Sequence, residues 1–122
     1  MSDFVSFENV GSKAITIVLH HTDPKASDIE YFFRQLADIY NSESQERPFK
    51  LSYDVRDCDV IFSGLASLAL FSRTLREFEK VYEDHIREHT EHIHVVVSSD
   101  FIQKIASGLV SSDLVPVTFV KA

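Results

Sequence analysis

The sequence predicts an α/β fold: a single-layer, mostly parallel sheet with a mixed edge, packed with helices in the order β-β-α-β-α-β-α-β. Two observations carry this. Short β-branched runs, Ile15-Thr16-Ile17-Val18-Leu19 and Ile93–Val97, alternate with longer stretches of helical periodicity. Only three Gly and three Pro occur in 122 residues, so each break between elements is informative. A chain of this length buries roughly two-thirds of its unfolded surface and needs no disulfide or metal to fold. Residues 1–122 are therefore read as one domain.

Taken in order, Gly11-Ser12 separates a first strand, Phe4–Val10, from a second, Ala14–His20. The second is almost continuously apolar and reads as covered on both faces. Asp23-Pro24 offers a helix start with proline at the first helical position, and Ser27 with Glu30 offers another in capping-box spacing. Ile29, Phe32, Phe33, Leu36, Ile39 and Tyr40 make one apolar stripe, and the helix is expected to end near Asn41. Phe49–Arg56 alternates as a strand, with Phe49, Leu51, Tyr53 and Val55 on one face, and Val60-Ile61-Phe62 continues it or forms an edge. From Leu65 to about His89 a long helix is expected, with Leu68, Leu75, Phe78, Tyr82 and Ile86 sharing a face. After the strand Ile93–Val97, Ser99-Asp100 can cap a third helix. Its Phe101, Ile102, Ile105 and Ala106 face inward until Gly108 stops it. Leu114–Val120 is the last strand, and Pro116 demands an edge position or a start beyond it.

Composition narrows the function. Twelve basic and nineteen acidic residues give a net charge of −7, which argues against a nucleic-acid binder and against docking on an anionic membrane. The expected partners are a protein or a small molecule. The single Cys58 excludes a disulfide scaffold and suits a reducing compartment. Met1-Ser2-Asp3 opens without the basic and apolar segments of a signal peptide, and no stretch approaches a membrane span. A cytoplasmic protein, not an integral membrane one, is the expectation.

The strongest functional signal is Val60-Ile61-Phe62-Ser63-Gly64-Leu65, where a strand runs through a small polar pair directly into the long helix. Free backbone N–H groups and the positive dipole end of a helix favour an anion at such a place. A serine there can carry a phosphate that the helix stabilises, or can simply cap it.

The segment Ile61-Phe62-Ser63-Gly64-Leu65-Ala66-Ser67-Leu68 resembles the strand-Ser-Gly-Leu-helix junction of STAS domains, the family named for sulfate transporters and anti-sigma-factor antagonists. The tail is similar too: Asp100-Phe101-Ile102-Gln103-Lys104-Ile105-Ala106-Ser107-Gly108-Leu109 and Ser112-Asp113-Leu114-Val115-Pro116-Val117 resemble that family's last helix, Gly-Leu turn and closing strand. The resemblance spans about residues 13 to 120. It implies a STAS-like fold and a regulatory protein-interaction module, with Ser63 as the matched phosphoacceptor. Phosphorylated members carry Asp-Ser before the Ser-Gly pair, whereas Ile61 and Phe62 stand here. Gly64, Ser67 and Leu68, with the loop residues His21, Thr22 and Asp23, are the candidates to border the working surface.

Other constellations weigh less. His85, His89 and His92 would share one side of a continuous helix and could hold zinc, but their setting among charged residues also describes a solvated helix end. Asp57-Cys58-Asp59 has the Asp-x-Asp form of aspartate-nucleophile phosphatases without the further motifs such enzymes need. Gly11, Gly64 and Gly108 are isolated, so no phosphate-binding glycine loop exists. The sequence thus leads to a binding module with no catalytic residue, metal or cofactor. The alternative is a carrier of a small apolar ligand, such as a lipid, held between the long helix and the sheet.

Overall fold

The computed structural model describes residues 4–20, 24–57, 65–109 and 113–122. The first strand, β1 (Val5–Glu8), turns back through Asn9 and Gly11 into β2 (Ala14–Leu19), and the two pair antiparallel. Gly11 has φ 98°, a left-handed conformation that glycine adopts at little cost. Gln45, buried though polar, anchors this turn from the far side of the chain. Its side-chain oxygen accepts from the Gly11 N–H at 2.7 Å, and its amide nitrogen donates to the Ser12 carbonyl at 2.6 Å.

Helix α1 (Ala26–Asn41) starts between the two anticipated positions. Lys25 is the N-cap residue, and its backbone N–H donates to the Asp28 carboxylate at 2.9 Å. Every member of the anticipated stripe, from Ile29 to Tyr40, is buried. Next come β3 (Phe49–Asp54), α2 (Leu65–Val81), α3 (Glu83–His89), β4 (Thr90–Val97), α4 (Asp100–Leu109) and β5 (Val117–Lys121). The sheet order is β1-β2-β3-β4-β5, with β2 through β5 all parallel. The α/β class and the mixed edge therefore agree with the sequence.

Three details depart from it. The helix expected from Leu65 to His89 divides at Tyr82, whose φ −105° and ψ 17° leave the helical region. Tyr82 stacks on Phe78 with ring centroids 4.6 Å apart and accepts a hydrogen bond from the Asn41 amide at 2.9 Å. The bend keeps those contacts while Ile86 turns into the core. Second, β4 begins at Thr90, so His92 is a strand residue and leaves the helical side of His85 and His89. Third, α4 continues through Gly108 to Leu109, and Phe101, expected inside, is 59% exposed, while Ile102, Ala106 and Leu109 are buried and Ile105 packs half-buried against the core. The last strand follows what Pro116 demanded: β5 begins after that residue, whose missing N–H would interrupt a ladder, and it occupies an edge.

Sequential parallel strands joined by crossovers of one hand place every helix on the same side of the sheet. Ile15, Ile17 and Leu19 of β2, Leu51 of β3, and Ile93, Val95 and Val97 of β4 are buried on that side. Thr16 and Val18 on the other side are only half-buried, so β2 is not covered on both faces as its apolar run suggested. The covered side holds a contiguous aromatic-rich core. Phe32 meets Phe33 edge-on at 4.9 Å, and Phe71 and Phe78 lie 5.2 and 5.6 Å from Phe33. Full burial of one such side chain contributes about 1.5–3 kcal/mol. Among the described residues no helix is long and apolar enough to cross a membrane.

Candidate functional site

Parallel strands bring their C-terminal ends, and the first turns of the helices that follow, to one rim of the sheet. On this rim Ser67, in the first turn of α2, donates its hydroxyl to the Pro24 carbonyl at 3.2 Å. That bond joins the approach to α1 with the start of α2 across 43 residues of chain. Leu68, beside it, is half-buried and packs against the core. These are the two anticipated surface residues that the structure describes. His21, Thr22 and Asp23, the phosphoacceptor candidate Ser63, and Gly64 lie outside the described residues, as do Cys58, Asp59 and the Val60-Ile61-Phe62 continuation.

Farther along the rim, Arg56 grips Asp54 with two nitrogens, Nε at 3.0 Å and Nη2 at 2.7 Å. The hydrogen bonds from the guanidinium hold the Asp54 carboxyl below its ordinary range, against a smaller opposing effect of burial. Asp57 follows as an exposed residue. At the β5 side, Lys121 pairs with Asp100 at 3.1 Å, and the Ser99 hydroxyl caps α4 by accepting from the Ile102 N–H at 3.2 Å. The Ser99 cap is the one the sequence indicated.

The histidines disperse. His85 and His89 stand edge-on with ring centroids 5.7 Å apart, while His92 bonds Thr118 Oγ1 at 2.7 Å on the uncovered sheet face. Among the described residues no group of three or more His, Cys, Asp or Glu side chains is placed to hold a metal ion. His89 is held below its ordinary pKa, first by desolvation and then by the nearby cation of Arg47 and by His85. Also on the uncovered face, Ser6 and His20 share a 2.7 Å hydrogen bond. A hydroxyl beside an imidazole is only the start of a nucleophilic site, which also needs a group orienting the base and donors for the developing oxyanion.

The interior offers a second location. Between the sheet and the helices lies an apolar cavity of about 90 Å³, lined among others by Leu51, Tyr53 and Val95 of the sheet, Leu36 of α1, Phe71 and Leu75 of α2, Ile86 of α3 and Ala106 of α4. Its polar members are few. The Tyr40 hydroxyl bonds Thr90 Oγ1 at 2.6 Å, and burial pushes its pKa up to about 12 despite that bond. Burial likewise raises the Tyr53 hydroxyl far above its ordinary range. Glu79 of α2 is half-buried, and desolvation raises its carboxyl, with Arg76 opposing and Asp113 adding to the shift.

Glu79 and Leu114 line this cavity and also an adjoining surface cleft of about 550 Å³ that contains Arg76, Lys80, Glu83 and Arg87. They form the neck between an apolar interior and a charged exterior. Sequence reading passed over Glu79. The available signal was its register: Leu75, Glu79, Tyr82 and Ile86 follow i, i+4, i+7 and i+11, which puts a carboxylate on the apolar stripe of the long helical segment. Comparison with family models, with curated proteins and with solved structures found no match to this chain.

Proposed function

We propose that the chain is a STAS-like protein-interaction module that acts by binding, with its working surface on the rim where α1 and α2 begin. The observation that carries the reading is the Ser67–Pro24 hydrogen bond, which makes the approach to α1 and the first turn of α2 one continuous surface. The parallel sheet of sequential order, with its antiparallel edge, is compatible with the resemblance drawn from the Ser63-Gly64-Leu65 junction. A phosphate on Ser63 would add about −1.5 to −2 charges beside a helix N-terminus that tolerates them, and would change what a partner meets.

The test uses native mass spectrometry of the purified chain to identify a bound protein, followed by calorimetric titration of that partner into three variants. Ser63→Asp should weaken binding while melting within a few degrees of wild type, and Ser63→Ala should preserve binding. His94→Glu, on the uncovered sheet face, should leave affinity unchanged. Loss of binding in His94→Glu with full binding in Ser63→Asp would move the working surface to the sheet.

The cavity favours a second reading, a binding protein for a small apolar ligand. A volume of about 90 Å³ exceeds the roughly 30 Å³ share of one water but falls below the roughly 150 Å³ of an apolar cavity that takes up benzene. The cavity therefore matches a short alkyl group, and a long acyl chain would require the helices to separate. The carrier reading stands if short apolar molecules perturb residues that line the cavity, and falls if none does.

A further inference from the structure

The cavity is apolar on all sides but has an ionisable carboxyl at its neck, and this combination restricts the chemistry of an occupant. Apolar side chains such as Phe71, Leu75 and Ala106 accept a hydrocarbon body on contact and burial alone. At the neck, Glu79 faces both the cavity and the cleft; the Arg76 cation acts on it from the cleft side, and the Asp113 carboxylate adds a smaller effect of opposite sign. The basic side chains there are differently placed. Arg87 reaches Glu83 at 3.6 Å and donates to the Asp113 carbonyl at 3.3 Å, while Arg76 and Lys80 are exposed and line only the cleft.

We propose that the cavity and its neck bind a small primary amine, with a short alkyl body among Phe71, Leu75 and Ala106 and its ammonium group against Glu79. This rests on the cavity reading given above and adds the headgroup. An ammonium at the neck meets a carboxylate in a partly desolvated place, where an ion pair is stronger than in water. A carboxylate ligand in the same position meets like charge, and a neutral alcohol gains at most one ordinary hydrogen bond. Desolvation of Glu79 is the cost that the ligand's charge offsets.

The experiment is a protein-observed NMR titration at pH 7 and 0.15 M NaCl with n-butylamine, n-butanol and butyrate. These probes share a hydrocarbon body of similar size and differ in the headgroup. Butylammonium is expected to bind at least tenfold more tightly than butanol, with shifts at Phe71, Leu75 and Ala106, and butyrate is expected to bind weakest. Glu79→Gln should reduce the amine to the affinity of the alcohol, and Leu114→Phe, which narrows the neck, should abolish the shifts for all three. Equal affinity of butanol and butylammonium overturns the amine assignment and leaves the cavity reading standing. Butyrate binding tightest does the same. If none of the three perturbs a residue lining the cavity, both fail.

Discussion

Tyr40 and Thr90 clamp the end of α1 to the start of β4, and breaking this clamp has a calculable effect. The two hydroxyls lie 2.6 Å apart, 50 residues apart in the chain, and both residues are nearly inaccessible at 2% and 5% exposure. Tyr40→Phe keeps the ring tilted against Phe49 and Phe78 but leaves the Thr90 hydroxyl buried without its partner. That costs about 1–3 kcal/mol. At about 2.1 cal/mol/K of unfolding entropy per residue, a 122-residue chain loses about 4 °C of Tm per kcal/mol, so the expected fall is about 4–12 °C. Thr90→Val should cost a similar amount, and the double variant should melt well above the sum of the single losses because no orphaned hydroxyl remains. The same clamp predicts an alkaline effect. The Tyr40 hydroxyl sits at about 12 in the folded chain against an ordinary 10.0, so its contribution is intact below pH 10 and is lost as pH rises through 12. By pH 11.5 the linkage amounts to about 2 kcal/mol, present in wild type and missing from Tyr40→Phe. Tyr53, which the Tyr40 charge also influences, stays protonated in the folded chain over this range, so the difference between the two proteins up to pH 11.5 reports chiefly Tyr40. Urea unfolding from pH 8 to 11.5 provides the measurement. Strictly additive single losses, together with parallel alkaline curves for the two proteins, would refute the argument.

Two further predictions concern titration and are read by NMR. Asp54 should titrate below the ordinary 3.8, with stability present above that value and lost as pH falls through the depressed one; Arg56→Ala should return its midpoint to the ordinary range, and an unmoved midpoint counts against the pairing. His89 should titrate below 6.5, so its neutral form supports the fold above that pH and the support declines as pH falls through the lower midpoint. Arg47→Gln should raise that midpoint, and a His89 ring titrating at or above 6.5 in the wild type would contradict the desolvation argument.

The legible part of the site was the part carried by local pattern. Ser67 and Leu68 follow a polar pair at the head of an amphipathic helix, so their place at the beginning of α2 could be read from spacing. Ser99 as a cap was readable for the same reason. Glu79 was not read, because one carboxylate on an apolar stripe gains meaning only when the opposing surface is known to be a cavity. The histidine triplet failed for a related reason. Helical spacing was carried past His89 into Thr90–Val97, where β-branched residues in period-two alternation take over and separate His92 from its supposed partners.

Periods of 3.6 and 2 are properties of neighbouring residues, so the sequence settled where most helices and strands lie and that the stripe from Ile29 to Tyr40 turns inward. It also determined the acidic balance and the start of the last strand beyond Pro116. Tertiary structure alone decided that β2 keeps one face uncovered, that the long helical segment bends at Tyr82, and that Pro24 meets Ser67. It alone left a void beside Glu79. Each of these depends on residues tens of positions apart being brought into contact. Such contacts are set by how the helices share one face of a twisted sheet, which no local period encodes.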